Sequence, residues 1–281
     1  LTATASSAVP LSLAFIGGGN MAAALIAGWQ RAGQSMPNVT VVEPLAERRA
    51  ELARRYGVQV RADAQGLDAA MMVLAVKPQQ MREALADLSP RAGTVLLSIA
   101  AGIPLSLIAA QLRSPCSLIR CMPNTPALVG AGIAALYAAP ETPQAARDAA
   151  EALLAASGHC VWLECEAQMD AVTALSGSGP AYFFRLTEAM AAAGVALGLP
   201  AETAARLARQ TFIGSGQLAA QRDEPVEMLR AQVTSKGGTT AAALAAFEAG
   251  GLSELVATAL AAAEARSREL GAALAETLKD S

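Results

Sequence analysis

Three consecutive glycines, Gly17-Gly18-Gly19, end the apolar run Leu13-Ala14-Phe15-Ile16 and precede Asn20-Met21-Ala22, where a helical pattern begins. This is G-x-G-x-x-A between a strand and a helix, the setting in which the motif takes a dinucleotide. Gly17 suits the tight turn, Gly19 lets the backbone approach a pyrophosphate, and Ala22 lets helix and strand pack closely. The free N–H groups and dipole of the helix start, over Gly18 to Met21, attract the phosphate charge. Glu43 follows Ala22 by 21 residues, at the end of the apolar run Val39–Val42. A carboxylate at that spacing accepts hydrogen bonds from an adenosine ribose diol. Arg48 and Arg49 stand close by and suit a 2′-phosphate instead; a solvated loop of mixed charge is the plainer alternative.

Further candidate positions lie at the ends of later apolar runs. Ligands of open parallel sheets sit beyond the carboxyl ends of the strands. Met71–Val76 runs into the polar turn Ala75-Val76-Lys77-Pro78-Gln79, and Thr94–Ser98 runs into Ile99-Ala100-Ala101-Gly102, whose small residues leave room for a flat ring. Lys77 taken alone reads equally well as a surface charge. Two glycine–hydroxyl turns occur later, Leu175-Ser176-Gly177-Ser178-Gly179-Pro180-Ala181-Tyr182 and Val233-Thr234-Ser235-Lys236-Gly237-Gly238-Thr239-Thr240. In the first, Ser178 or Gly179 caps a helix with Pro180 in its first turn; in the second, Thr239 or Thr240 caps. Each start offers unpaired N–H groups, hydroxyls and a positive dipole end, which suits a small anion such as a carboxylate. Either turn alone reads as a well-capped helix; two of them beside a dinucleotide site read as a substrate pocket.

The elements that must position these residues follow from the hydrophobic periodicity. Strands are expected at 13–16, 39–42, 58–60, 71–76, 94–98 and 118–122, with an edge strand at 132–137 and a last strand at 160–163. Helices are expected at 22–32, 44–56, 104–112 and 143–157. Alternating strands and helices argue a doubly wound α/β layer of the Rossmann type over residues 1–164, with 1–11 as a loose tail. From Glu166 the strands stop, and helical patterns run through 166–175, 180–197, 200–221, 224–233, 240–249 and 252–279. Residues 165–281 therefore read as an all-helical domain. Leu252, Leu255, Val256, Ala259, Leu260 and Ala263 form one stripe at helical spacing, and Leu270, Leu274 and Leu278 continue it. Gly214 and Gly216 inside the 200–221 helix suggest close packing against another helix. Apolar faces this broad suit burial in a second subunit.

Composition excludes several classes. The 281 residues carry a net charge of −3 and are 53% apolar, 16% charged and 4% aromatic, without a basic stripe, so nucleic acid is not an expected partner. Ala92–Leu112 lacks charge over a length that spans a bilayer, but Gly93, Gly102, Pro104 and Gln111 break it into strand, turn and helix; a cytoplasmic protein without a membrane segment is expected. Cys116, Cys121, Cys160 and Cys165 form two C-x4-C pairs. Residues five apart on a strand face opposite sides, and structural zinc sites use tighter spacings; buried free thiols and no metal are expected.

At these residues the chain resembles the pyrroline-5-carboxylate reductase family. The matching stretches are Phe15–Ala24, Ala75–Gln79, Arg120–Pro126, Leu175–Tyr182 and Thr234–Thr240, in the same order and spanning most of both domains. The resemblance implies reduction of 1-pyrroline-5-carboxylate to L-proline by a nicotinamide cofactor, NADP(H) by family habit with NAD(H) as the alternative. It implies a Rossmann domain, a helical dimerisation domain, and a homodimer that can build a ring of dimers, a decamer. By this analogy Ile16, Gly17, Gly18, Gly19, Asn20, Met21, Ala75, Val76, Lys77, Pro78, Ile99, Ala100 and Ala101 hold the cofactor. Glu166, Ser235, Thr239 and Thr240 meet the substrate, with Thr240 nearest the ring nitrogen; the glycine–hydroxyl turns add Ser176 and Gly238. The chain departs from the family pattern at Lys236, where many members have Pro, at Gln232, where some have Asn, and at Glu43, where NADPH-preferring members tend to be neutral or basic.

The residues present suit that chemistry. His159 is the single histidine, so a histidine acid–base pair is not available, and the cofactor carries the reaction. A 3-hydroxyacid dehydrogenase would need a catalytic Lys on a helix face, whereas Lys236 lies in a glycine turn. A non-catalytic NAD(P)-binding redox sensor would keep Gly17–Ala22 but has no need of the later glycine turns.

Overall fold

The computed structural model describes residues 12–279; the expected loose tail at 1–11 lies outside them. In chain order the elements are β1 (Leu13–Ile16), α1 (Asn20–Arg31), β2 (Val39–Val42), α2 (Ala46–Tyr56), β3 (Gln59–Arg61), β4 (Met71–Leu74), α3 (Met81–Ala86), β5 (Val95–Ser98), α4 (Leu105–Gln111), β6 (Ser117–Met122), β7 (Gly132–Ala138), α5 (Gln144–Ala155) and β8 (Gly158–Trp162). Then come α6 (Met169–Val172), α7 (Gly179–Ala196), α8 (Ala201–Ala220), α9 (Val226–Gln232), α10 (Thr239–Ala249) and α11 (Leu252–Lys279). The strands form one sheet in the order β3-β2-β1-β4-β5-β6-β7-β8, parallel except for the β6–β7 pair.

Period-two alternation explains why the sheet is covered on both faces. Leu13, Phe15, Met71 and Val73 point into a core built with Leu25, Ile26 and Trp29 of α1, Leu52 of α2 and Leu153 of α5. Ala14, Ile16, Met72 and Leu74 point into the opposite core, against Met81 and Leu85 of α3 and Ile108 of α4. Strands buried on both sides read as unbroken apolar runs, which is why β1, β4 and β5 are legible in the sequence. The helix α3 is not: its six residues, MREALA, are too few to show a period.

Register brings the strand ends level. Ile16 pairs with Val42 and with Leu74, and Leu74 pairs with Ser98. The residues that follow, Gly17, Glu43, Ala75 and Ile99, therefore stand in one row. The connection between β1 and β2 runs one way and that between β4 and β5 the other, so this row crosses the topological switch point, where open α/β sheets open a crevice.

Three expectations are corrected. The strand at 132–137 is interior: β7 pairs antiparallel with β6 and parallel with β8, leaving β8 as the edge. β7 is hydrogen-bonded on both edges, and Ala134, Leu136 and Ala138 face the core while Ile133 is exposed. His159, one residue ahead of the strand expected at 160–163, lies inside β8 and is exposed. Cys165 is exposed, while Cys121 is buried and Cys116 and Cys160 are half-buried; all four are free thiols. Burial pushes the Cys116 and Cys160 thiols up to about 11.

The chain packs as two units, 1–177 with 263–281, and 178–262. The boundary read from sequence at 164/165 marks the end of the last strand, whereas packing carries the first unit on to Gly177 and takes in the end of α11. That end is held by the Ser267 hydroxyl, which donates to Asp170 Oδ1 at 2.6 Å. At Gly271 the α11 backbone lies directly against the carbonyl of Gly102, which leaves no room for a Cβ. In the second unit, α7 and α8 pack through Phe183, Phe184 and Phe212, with ring centroids about 6 Å apart. Among the described residues nothing lies within 4 Å of where a Cβ on Gly214 or Gly216 would stand, so the close contact expected of them is not made there. Among the described residues no single helix is long and apolar enough to cross a membrane, and Ala92–Leu112 folds as β5, a turn and α4.

Candidate functional site

The glycine loop is shaped by what a side chain would strike. Gly17 has φ +100°, and a Cβ there would lie 2.8 Å from the Ala75 carbonyl oxygen. A Cβ on Gly18 would lie 2.6 Å from Leu52 Cδ1, whereas Gly19 faces open space. The loop is tied to both neighbouring strands: Gly17 N–H donates to Val42 O and Ala75 N–H to Ile16 O, each at 2.8 Å. Gly19 is the extended N-cap of α1 and brings no side chain to it. The N–H groups of the first turn thus have no partner within the helix, and Ala22 is fully buried against the sheet.

Glu43 closes one side of this loop. Its Oε2 accepts the Gly18 N–H at 3.1 Å and its Oε1 the Leu45 N–H at 3.0 Å, and the residue is 9% exposed. The two arginines are committed elsewhere. Arg48 Nε donates to Gly18 O at 2.8 Å and its guanidinium pairs with Glu51 at 2.6 Å. Arg49 donates to Glu43 O and Pro44 O, both at 2.7 Å.

Beyond the loop opens a cavity of about 520 Å³. Ile16, Gly17, Gly18, Gly19 and Glu43 line one wall, and Ala75, Val76 and Lys77 another. Lys77 caps a tight turn that begins at Pro78. Asn20, Met21, Ala22 and Pro78, also expected at the cofactor, are not among the residues that line the cavity. Ile99, Ala100 and Ala101 follow β5, one strand beyond the cavity; Ile99 N–H donates to Leu74 O at 3.1 Å and Ala100 is buried.

At the next strand Arg120, 7% exposed at its side chain, pairs with Glu166 at 3.0 Å. The same Glu166 oxygen accepts the Leu105 N–H at 2.8 Å, at the first residue of α4. Glu166, expected as a substrate contact, thus ties β6 and α4 to the chain beyond the sheet. Asn124 does the same one turn on: its Oδ1 accepts the Ile133 N–H at 3.0 Å, and its Nδ2 donates to Ser176 O at 3.2 Å. Neither Arg120 nor Asn124 was among the expected site residues. The signal for Arg120 was a charge in the middle of the apolar run Leu118–Met122.

The first glycine–hydroxyl turn is not a free helix start. The chain runs from α6 through a π turn, Thr173–Gly177, and Ser178 itself has helical angles (φ −85°, ψ −19°) before α7. The Ser176 hydroxyl donates to Val172 O at 3.1 Å, inside its own helix. The second turn is a free start, with the cap displaced by one. Gly238 (φ −81°, ψ 173°) is the N-cap of α10, and Thr239 and Thr240 are its first two helical residues. Gly238 N–H donates to Ser235 O at 3.0 Å, and the Ser235 hydroxyl occupies the space a Cβ on Gly238 would need. Gly237 makes the reversal at φ +72°. Neither threonine hydroxyl caps the helix, so both remain available to a ligand beside the first-turn N–H groups.

Residues 166–270 match the family model described as pyrroline-5-carboxylate reductase dimerisation. Residues 12–102 match that of NADP oxidoreductase, coenzyme F420-dependent. A pyrroline-5-carboxylate reductase of Pseudomonas aeruginosa is 46% identical, over 94% of this chain and 98% of that one. One of Haemophilus influenzae is 42% identical, over 92% and 97%. Among solved structures, a pyrroline-5-carboxylate reductase from Coxiella burnetii superposes with a TM-score of 0.86 at 36% identity, over 92% of this chain and 98% of that one. The Plasmodium falciparum pyrroline carboxylate reductase with NADP bound gives 0.78 at 27% identity, over 93% and 98%.

Proposed function

The chain belongs to the pyrroline-5-carboxylate reductase family and is an NAD(P)-dependent oxidoreductase of that kind, and we propose how its own residues carry the reduction of 1-pyrroline-5-carboxylate to L-proline. The observation that supports the assignment most directly is the glycine loop. Its Cβ positions at Gly17 and Gly18 are blocked by Ala75 and Leu52, while Gly19 faces open space beside unpaired α1 N–H groups. That is a cradle for a pyrophosphate.

In this reading Gly17–Met21 hold the pyrophosphate, Glu43 the adenosine ribose, and Ala75–Pro78 with Ile99–Ala101 the nicotinamide side. The cofactor supplies the hydride for the ring C=N carbon. The α10 start fixes the substrate carboxylate: Ser235, Gly238 and Thr239 offer hydroxyl and N–H donors where the helix dipole is positive. The Thr240 hydroxyl hydrogen-bonds the ring nitrogen and orients a proton arriving from water. Glu166 and Ser176 complete the substrate side. Positioning of this kind removes roughly 7–11 kcal/mol of barrier in favourable systems.

We further propose a homodimer, assembled through the second unit, that can close into a ring of dimers in the cytoplasm. Phe183, Leu186, Met190, Leu255 and Val256 leave apolar surface exposed on α7 and α11. Gly214 and Gly216 leave open space on α8. Apolar residues exposed in this number on the helices of one unit suit burial in a contact surface.

The test is oxidation of NADH and of NADPH by the purified chain with 1-pyrroline-5-carboxylate. Turnover to proline is expected. Tight cofactor binding without turnover would favour a redox sensor instead.

A further inference from the structure

We infer that this chain selects NADH over NADPH, and that Glu43, held in the glycine loop, makes the selection. The inference rests on the cavity beside that loop being the NAD(P)H site. A ribose 2′-hydroxyl is a donor, and a carboxylate accepts from it; a 2′-phosphate is an acceptor carrying about −1.5 to −2 charges at neutral pH, and a carboxylate repels it. Glu43 cannot swing aside at little cost. Its two oxygens are anchored on the Gly18 and Leu45 N–H groups, and the residue is buried.

The cations that would reward a 2′-phosphate are engaged. Arg48 is held between Gly18 O and Glu51, and Arg49 between the Glu43 and Pro44 carbonyls. Arg61, at the end of β3, donates to Gln65 O and faces Asp63. The charge of the cavity adds to the effect. Asp63, Glu83 and Asp87 line it together with Glu43, and Lys77 is the single basic residue among the described residues that do. Four carboxylates against one ammonium give a field that disfavours an added dianion. Charges lining one cavity are screened less than exposed ones, for which the reach at ordinary salt is roughly 8–10 Å.

The test is calorimetric titration of the full chain with ADP-ribose and with 2′-phospho-ADP-ribose, which needs no imino acid and no turnover. The ratio of kcat/KM for NADH and NADPH is measured beside it. ADP-ribose is expected to bind at least about tenfold tighter, and Glu43→Ser to shift the preference toward the phosphorylated ligand by about 10- to 100-fold, the span of one hydrogen bond to a charged group. Since Glu43→Ser also removes two loop hydrogen bonds, Glu83→Gln with Asp87→Asn serves as the second variant. It should tighten 2′-phospho-ADP-ribose several-fold more than ADP-ribose, since both ligands carry the pyrophosphate charge and only the first carries the added phosphate. Equal binding of the two ligands would overturn the inference and leave the cofactor site standing. So would tighter binding of the phosphorylated ligand that Arg48→Ala abolishes. Binding of neither would remove the cavity as the cofactor site altogether.

Discussion

At the scale of single residues, the cofactor and substrate sites proposed above each rest on backbone donors, because α1 and α10 both begin without a side-chain cap. Gly238 is the clearest case: it takes the cap position without a side chain, so Thr239 and Thr240 are not consumed in capping. Thr240→Ala is accordingly expected to lower kcat/KM for the imino acid by about 10- to 100-fold, equivalent to one hydrogen bond of about 1.5–3 kcal/mol. Steady-state kinetics at saturating cofactor measure this; an unchanged value would take Thr240 out of the mechanism. The half-buried Cys116 and Cys160 thiols, raised to about 11, stay protonated and unreactive at neutral pH.

At the scale of elements, one ion pair joins three of them. Arg120 on β6 and the first N–H of α4 converge on a single oxygen of Glu166. Removing one partner of a buried pair costs about 3–5 kcal/mol; Glu166 is one-quarter exposed at its side chain, which puts Arg120→Met at the lower end, about 3 kcal/mol. Urea unfolding of the variant against the parent chain checks the loss. Pairing Arg120→Met with Glu166→Gln, which leaves no stranded charge, should recover more than half of it. A full loss in the double variant would mean that packing of the Arg120 stem, not charge, holds the three elements. The start of α7 belongs at this scale too. Ser178 or Gly179 reads as its cap, yet the π turn makes the helix continuous there, and the hydroxyl of Ser176 is spent on its own helix.

At the scale of the whole molecule, the contrast is between a unit that buries its apolar residues and one that does not. The sheet and its helices account for nearly all of the fully buried side chains. In the second unit Leu186 is 48% and Leu255 65% exposed. Water is a poor neighbour for so much apolar surface, and a second copy of the chain is the occupant that the family model's dimerisation region suggests. Leu186→Asp with Leu255→Asp, neither part of the Phe183–Phe184–Phe212 cluster, is expected to yield a monomer-sized species in sedimentation velocity where the parent chain gives at least a dimer. The parent's melting temperature should also rise with protein concentration and the variant's should not. An unaltered sedimentation coefficient would place the subunit contact on another face.

The sequence alone determined the glycine loop, the strands behind it, the change from alternating to all-helical pattern after Glu166, and the family. Each is a local signal: strands buried on both faces are unbroken apolar runs, and a pyrophosphate turn needs glycines at fixed offsets. Tertiary structure alone decided that β7 is interior, that the end of α11 returns to the first unit, and that Arg48 and Arg49 are bound to carbonyls and Glu51. It also decided that Glu43 is pinned on Gly18. Those outcomes depend on contacts between residues tens of positions apart, such as Gly18 with Glu43 or Asp170 with Ser267. No periodicity within a short window encodes such pairings, because they exist only after the sheet has brought its strand ends level.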